Sequence, residues 1–311
     1  MHLCPTRRII STEKRSLTLS VPPLVGKAHN SGDDIAGRIA KVGKNVTEFK
    51  KGDRVAAFHV MVSDHGSFAQ YSLAPSHTTF HIPESTSFEQ AATLPLAAMT
   101  AVIGMFDRLQ LPTPLAPAKE DVPLLVYGGS SAVGAFTIKL AKLANIHPII
   151  AVAGSGGEFA RSIGADHVVD YRKNNVVADI KTALHGKKLE RAYDAISEGD
   201  SVAHIDQVLA DGGIHTTVLE VKEQETATRI KVVRTMVGDA HNGAPHLQDL
   251  ASAYYRLIGR WLADGRFEPH PHEVLPGGLA GVEEGLRRLQ EGKVSAKKLV
   301  FRIDETPGLK A

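Results

Sequence analysis

Cysteine is almost absent, with Cys4 standing alone in 311 residues. A single thiol excludes an internal disulfide and any multi-cysteine zinc cluster, which fits a reducing compartment. Long hydrophobic runs are missing too: nothing approaches the roughly 20 consecutive apolar residues of a membrane span, so no membrane is expected as a partner. Charge of one sign is also scarce. The 36 Lys and Arg are mixed along the chain with 34 Asp and Glu, a formal balance of +2, which gives no strong field for gripping nucleic acid. The opening residues, MHLCPTRRIISTEKRS, have no apolar core of a secretory signal. They are basic with one acid, Glu13, so a cytoplasmic protein is expected, a mitochondrial transit peptide being the alternative.

What is present is a hydrophobic content of 43% on a chain longer than one core usually supports, hence two domains. From Asp33, DDIAGRIAKVGKNVTEFKKGDRVAAFHV punctuates short apolar runs with Gly43, Asn45, Gly52 and Asp53, the pattern of a small β-barrel or sandwich. GSFAQYSL reads as a further strand of that body. After Pro83 the period changes, and SFEQAATLPLAAMTAVIGMFDRL is predicted helical with a break at Pro95. LPTPLAPAKEDVP is a proline-rich exposed connector. Strands are then predicted at Leu124–Tyr127, Pro148–Ala153, His167–Tyr171, Ala192–Ile196 and Gly213–Leu219, with helices centred near residues 138, 160, 180 and 206. That alternation implies parallel strands with crossovers, a doubly wound α/β sheet. Farther on, Leu247, Leu250, Ala251, Tyr254, Ile258, Trp261 and Leu262 outline a long amphipathic helix stopped by Gly265. A short helix, GVEEGLRRLQEG, is expected to pair Glu283 with Arg287 and Glu284 with Arg288. TRIKVVRTMV is a strand that extends the sheet or forms a dimer seam, leaving monomer and homodimer both open.

The stretch VYGGSSAVG joins an apolar run to an amphipathic helix. Aligned on its last glycine it reads Gly129-Ser130-Ser131-Ala132-Val133-Gly134, a G-x-G-x-x-G pattern with serine for the middle glycine. A helix N-terminus offers free N–H groups and the positive end of the helix dipole to an anion, so the loop is expected to hold a dinucleotide's phosphates, with hydroxyls from Ser130 and Ser131. A ligand-free strand-to-helix turn is the alternative. The next strand ends in Ala153, Gly154 and Ser155 rather than the acid that binds a ribose 2′-hydroxyl. That permits NADPH, with NADH second; Ser155, Tyr171 and Arg172 are candidates around the 2′-phosphate, and Arg161 is a further cation.

With these residues in hand, the chain resembles the medium-chain dehydrogenase/reductase superfamily, in its zinc-free quinone-oxidoreductase and enoyl-reductase branch, most closely the fungal type. GDDIAGRIAKVG, KKGDRVAAF, GSFAQY, LPLAAMTA, YGGSSAVG, GADHVVDYR and PGGLAGVEEGLRRLQEGKVSAKKLVF carry the resemblance in the family's order, from about Gly32 to Ile303. It implies a GroES-like β-barrel built from both chain ends, residues 1–93 with 264–311, and an inserted Rossmann domain, residues 94–263, with the cofactor in the cleft between. It also implies that Thr100 sits near the nicotinamide ribose or phosphates, that Ser197 and Leu219 line the nicotinamide, and that Tyr171 lies by the adenosine ribose. Gly156 stands where many relatives place a lysine for the 2′-phosphate. The segment before Gly32 matches nothing in the family pattern and has about half its usual length, so the N-terminal part of the barrel is expected to be shortened.

No zinc site can be assembled from one N-terminal cysteine and an Asp where the zinc branch has His. A conjugated acceptor relaxes that need, because an enone or quinone delocalises the incoming charge onto its own oxygen. The expected activity is hydride transfer from NADPH to a quinone or α,β-unsaturated carbonyl without zinc. A cofactor-binding scaffold without turnover is the competing function. EPHPHE, with His270 and His272 between Glu268 and Glu273, invites a metal reading but has no further ligand at standard spacing. His65 is a candidate proton donor or a solvated loop residue.

Overall fold

The computed structural model describes residues 2–12, 32–221 and 229–309, and they divide into two compact units, residues 1–99 with 238–311, and residues 100–237. The first unit opens with β1 (His2–Thr12), β2 (Asp34–Lys41), β3 (Arg54–Phe58) and β4 (Thr79–His81). Short β-branched and alanine-rich runs broken by Gly and Asp give antiparallel pairs whose inner faces carry Ile35, Ile39, Val55 and Ala57. The opening segment, expected to leave the barrel shortened, supplies β1, which pairs with β2. GSFAQYSL differs from expectation, because Ser67–Tyr71 run through bends rather than a strand. Here the chain is fastened locally: the Ser67 N–H donates to the Gly32 carbonyl and the Ser72 hydroxyl to the Gly66 carbonyl. Gly32 has no room for a Cβ beside Ser67 and Phe68.

Helix α1 (Phe88–Ala91) starts in a capping box between Ser87 and Gln90. Pro95 breaks the helical stretch as expected by opening a second helix, α2 (Pro95–Val102). Beyond Val102 the turns widen, and the Leu109 N–H reaches the Gly104 carbonyl. The cause is visible: the Tyr193 hydroxyl takes the Thr100 carbonyl at 2.8 Å, and its ring lies where any Cβ on Gly104 would be, 2.3 Å away.

The second unit continues with β5 (Leu124–Tyr127), α3 (Ala132–Leu143), β6 (Ile149–Ala153), α4 (Gly157–Ser162), β7 (His167–Asp170), α5 (Val176–Ala183), β8 (Arg191–Asp194), α6 (Ser201–Asp206), β9 (Ile214–Thr217) and β10 (Lys231–Arg234). Its six strands lie in the order β10-β9-β8-β5-β6-β7, and every described pairing is parallel. This is the doubly wound order, with β5 at the reversal point. TRIKVVRTMV thus extends the sheet, as its edge strand β10. Leu125, Ile150, Val152 and Ala192 face Val176, Ile180, Leu184 and Ile205 in one continuous core.

The chain then returns to the first unit with α7 (Asp239–Asn242), α8 (Pro245–Ala263), β11 (His272–Leu275), α9 (Val282–Gln290) and β12 (Lys298–Arg302). Strand β12 pairs with β1 on one side and β11 on the other, closing the order β11-β12-β1-β2-β3-β4. Helix α8, which the sequence reading placed in the Rossmann domain, belongs to this unit: the Tyr255 hydroxyl donates to the Pro95 carbonyl at 2.8 Å and its ring stacks on Phe80 at 5.3 Å. On α9, Arg287 bonds Glu284 and Glu291, while Arg288 leaves its own helix to fork onto Glu273 of β11. Among the described residues no helix is long and apolar enough to cross a membrane.

The first unit is locked by a buried ion pair, Lys298 of β12 with Asp34 of β2, whose second oxygen accepts the Leu96 N–H at 2.8 Å and so caps α2. Replacing Lys298 by Ala strands a carboxylate in the interior and is expected to lower the unfolding free energy by about 3–5 kcal/mol in urea titrations. The double replacement Asp34→Asn with Lys298→Met should recover much of that loss. His241 of α7 gives a pH dependence. Its ring is buried against Phe58 at 4.5 Å, its Nε2–H donates to the Phe58 carbonyl, and burial, helped by His77 and His59, holds its pKa down to about 4 from 6.5. In that window the unfolded chain binds a proton that the folded chain refuses, so acidification destabilises the fold, by up to roughly 3 kcal/mol. The Asp33 carboxyl, raised mainly by burial, works in the opposite direction. Unfolding free energies at neutral pH and at about pH 4.5 should differ less in His241→Gln, which keeps an N–H for Phe58.

Candidate functional site

Parallel strands deliver their carboxyl ends to one edge of the second unit's sheet, and the loop after β5 turns there. Gly128 adopts φ +80°, with the Ile196 side chain where its Cβ would be, 2.5 Å away. A Cβ on Gly129 would lie 2.8 Å from that of Ala151, and one on Gly134 only 2.3 Å from the Gly128 carbonyl oxygen. Glycine therefore lets α3 press directly onto strand backbone, bringing its N-terminus to the reversal point between β5 and β8. Ser131, the residue that breaks the glycine motif, caps α3 by accepting the Gly134 N–H at 3.1 Å. Its φ is −70°, so no glycine is needed at that step. The first-turn amides of Ala132 and Val133 have no acceptor within the helix. With the half-buried Ser130 beside them, they form a cradle suited to a dinucleotide's diphosphate.

At the end of β6, Gly154 lies under the ring of Tyr171: a Cβ there would sit 2.9 Å from the ring carbons. Tyr171 is 53% exposed, so it covers the Gly154–Ser155 turn while keeping a face to solvent. Arg172 folds back onto Asp170, Nε to Oδ1 at 2.8 Å and Nη2 to Oδ2 at 2.7 Å. These bonds hold the Asp170 carboxyl down at about 2. Arg161 stands exposed on α4.

Sequence reasoning missed Asp194. Wholly buried at the end of β8, it accepts the N–H groups of Ile196 and Ser197 at 2.9 and 2.8 Å and the Ser201 hydroxyl at 2.6 Å. It shapes the loop that leaves the strand. Ser197, at φ +55°, donates its hydroxyl to the Asp194 carbonyl and accepts the Val218 N–H at 2.9 Å. The exits of β8 and β9, with Ser197 and the half-buried Leu219, are thereby clasped together. The available signal was an Asp ending a strand with Ser three and seven residues later, an Asx-turn pattern. Gly129 to Gly134, Ser197 and Leu219 thus gather at the carboxyl edge, as do Ser155 and Tyr171 at β6 and β7. Thr100 is not at a strand end; it lies buried on α2, tied to β8 through Tyr193.

The first unit holds a separate polar cluster that the sequence reading also missed. His59, 1% exposed, sets Nδ1 against Asp33 Oδ1 at 3.1 Å and Nε2 against the Asp64 carbonyl at 2.9 Å, with the Ser63 hydroxyl at 3.2 Å. His65 is exposed with φ +68° and joins no such network. Asp33 is the Asp in the place of the zinc branch's His, and its carboxylate is engaged by His59. In EPHPHE, Glu273 is taken by Arg288 and Lys297 and His270 is buried. Among the described residues no group of three or more His, Cys, Asp or Glu side chains is placed to hold a metal ion.

Two family models match: "Alcohol dehydrogenase GroES-like domain" over residues 6–84 and "Zinc-binding dehydrogenase" over residues 132–240. A trans-enoyl reductase of Gibberella fujikuroi is 39% identical over 260 residues, covering 81% of this chain and 77% of that protein. The enoyl reductase component of the lovastatin nonaketide synthase of Aspergillus terreus is 31% identical, over 88% of this chain and 81% of its own. In fold, the chain is similar to the crystal structure of CurK enoyl reductase, with a TM-score of 0.77 at 19% identity, covering 96% of this chain and 90% of that one.

Gly134→Asp tests the cradle. Its side chain has to enter space that is closed by the Gly128 carbonyl and adds a negative charge beside the phosphates, so nucleotide binding followed by fluorescence titration should be abolished. Gly43→Ala, where the new Cβ meets only Val46 at an ordinary 3.7 Å, should bind as the parent does.

Proposed function

Because the chain belongs to the medium-chain dehydrogenase/reductase family, alongside the fungal trans-enoyl reductases, we propose that it is an NADPH-dependent enoyl reductase acting without zinc. One observation carries this reading: the cradle at α3, where the Ala132 and Val133 amides open beside glycines that admit no side chain. A diphosphate bound there lays the rest of the dinucleotide along the carboxyl edge of the sheet. Bound NADPH supplies the hydride. The adenosine end meets Ser155 and Tyr171, and the absence of an acid closing β6 removes the usual repulsion of a 2′-phosphate. The β8 and β9 exits, where the Asp194 and Ser197 bonds fix the backbone, would hold and orient the nicotinamide end.

An enoyl acceptor needs no Lewis acid. An α,β-unsaturated carbonyl takes hydride at its β-carbon and passes the charge to its carbonyl oxygen, where hydrogen bonds stabilise it. A proton from solvent then reaches the α-carbon, and the C=C bond is reduced. A quinone has the same electronic property and is the second acceptor class. Relatives named as enoyl reductases favour the enoyl compound.

The test uses purified chain with NADPH or NADH, crotonyl-CoA or a simple quinone, with and without a metal chelator. Enoyl-dependent loss of NADPH absorbance, indifferent to the chelator, is the expected result. Chelator-sensitive turnover would remove the zinc-free part. NADPH binding without turnover on either acceptor would turn the reading into a nucleotide-binding scaffold, and no binding of either nucleotide would end it.

A further inference from the structure

Strand β6 ends without an acid, but an acid reaches the same place from its neighbour. In the parallel register Ala153 lies opposite Asp170, so the last residue of β7 sets a carboxylate beside the turn in which coenzyme-binding acids of this fold act on the ribose. An isolated carboxylate there accepts from a 2′-hydroxyl and repels a 2′-phosphate. Asp170 is not isolated. The guanidinium of Arg172 forks onto both of its oxygens, and the Arg172 backbone N–H adds a third bond at 3.1 Å. The fork closes around Tyr171, whose ring roofs Gly154. Two of the five guanidinium N–H groups are engaged by the fork, leaving three donors. The pair as a whole is neutral.

We propose that this fork sets the coenzyme choice: Arg172 masks the Asp170 carboxylate and presents its remaining donors to the 2′-phosphate, while Asp170 holds it in place. The inference rests on the NADPH reading above and adds the residues that discriminate between the two coenzymes. The loss of Arg172 has two effects of the same sign. It removes a charge-assisted donor, and it bares a carboxylate that favours the 2′-hydroxyl. The loss of Asp170 alone frees Arg172 but keeps the cation. Both side chains lie at the surface, 23% and 55% exposed, so neither change reaches the core of the sheet.

The experiment measures binding of NADPH, NADH, adenosine 2′,5′-bisphosphate and 5′-AMP to the full chain, without turnover. Arg172→Gln should weaken NADPH and the bisphosphate by roughly tenfold or more, the scale of one charged hydrogen bond, and leave NADH and 5′-AMP as tight as in the parent or tighter. Asp170→Asn should keep the NADPH preference. Asp170→Asn with Arg172→Gln should recover part of the loss, because no bare carboxylate remains. Arg172→Lys, with one charge and no fork, should fall between parent and Arg172→Gln. Parent-like preference in both Arg172→Gln and Arg172→Lys overturns the proposal while leaving the NADPH reading intact. A double variant no better than Arg172→Gln overturns the masking role of Arg172. A parent chain that binds none of the four ligands overturns both.

Discussion

The approach of Gly134 to the Gly128 carbonyl is the constraint on which the nucleotide-binding unit depends. With no side chain between them, α3 begins directly at the end of β5, and its dipole and first-turn amides face the point where the strand order reverses. Everything assigned to the coenzyme is placed relative to that mouth. At Ser131 the backbone φ of −70° is one that any residue adopts. A serine there contributes a cap.

A comparable constraint governs the first unit. Asp34 serves Lys298 with one oxygen and the Leu96 amide with the other, so one carboxylate joins β2, β12 and the start of α2. These are residues 264 positions apart in sequence, held by an almost wholly buried pair. Farther along the same helical stretch, the Tyr193 hydroxyl and Gly104 set where regular α-turns end.

Much of this was legible in the sequence because it is local. Leu124–Tyr127 reads correctly to the residue, since an apolar run bounded by Pro123 and Gly128 admits little else. The strand–helix alternation and the glycine turn into α3 follow from the same kind of signal. GSFAQYSL misled because alternation alone does not ensure a partner strand, and its backbone bonds close within the loop or onto Gly32. Asp194 was hidden by the locality of its partners, which are amides two and three residues on, so that it looks like any acid at a strand end. The Asp33–His59 contact, the Asp34–Lys298 pair and the fork of Arg288 on Glu273 depend on tertiary register, which periodicity does not report. Helix α8 was recognised as a helix but assigned to the other unit, because Tyr255 and Gly259 reveal their neighbours, Pro95, Phe80 and His81, only once the chain has folded.

The two ends of the proposed coenzyme track are built from different forces. Around Ser197 the clasp consists of a hydroxyl and backbone amides, together with a carboxylate sealed from solvent, so dissolved ions have little purchase on it. At Tyr171 the flanking pair is ionic and open to water, and its field is screened over about 10 Å in ordinary buffer. On the proposed binding mode, ionic strength therefore reaches the selection of the adenosine half while the geometry of the reacting half stays fixed, so recognition and reaction rest on different forces.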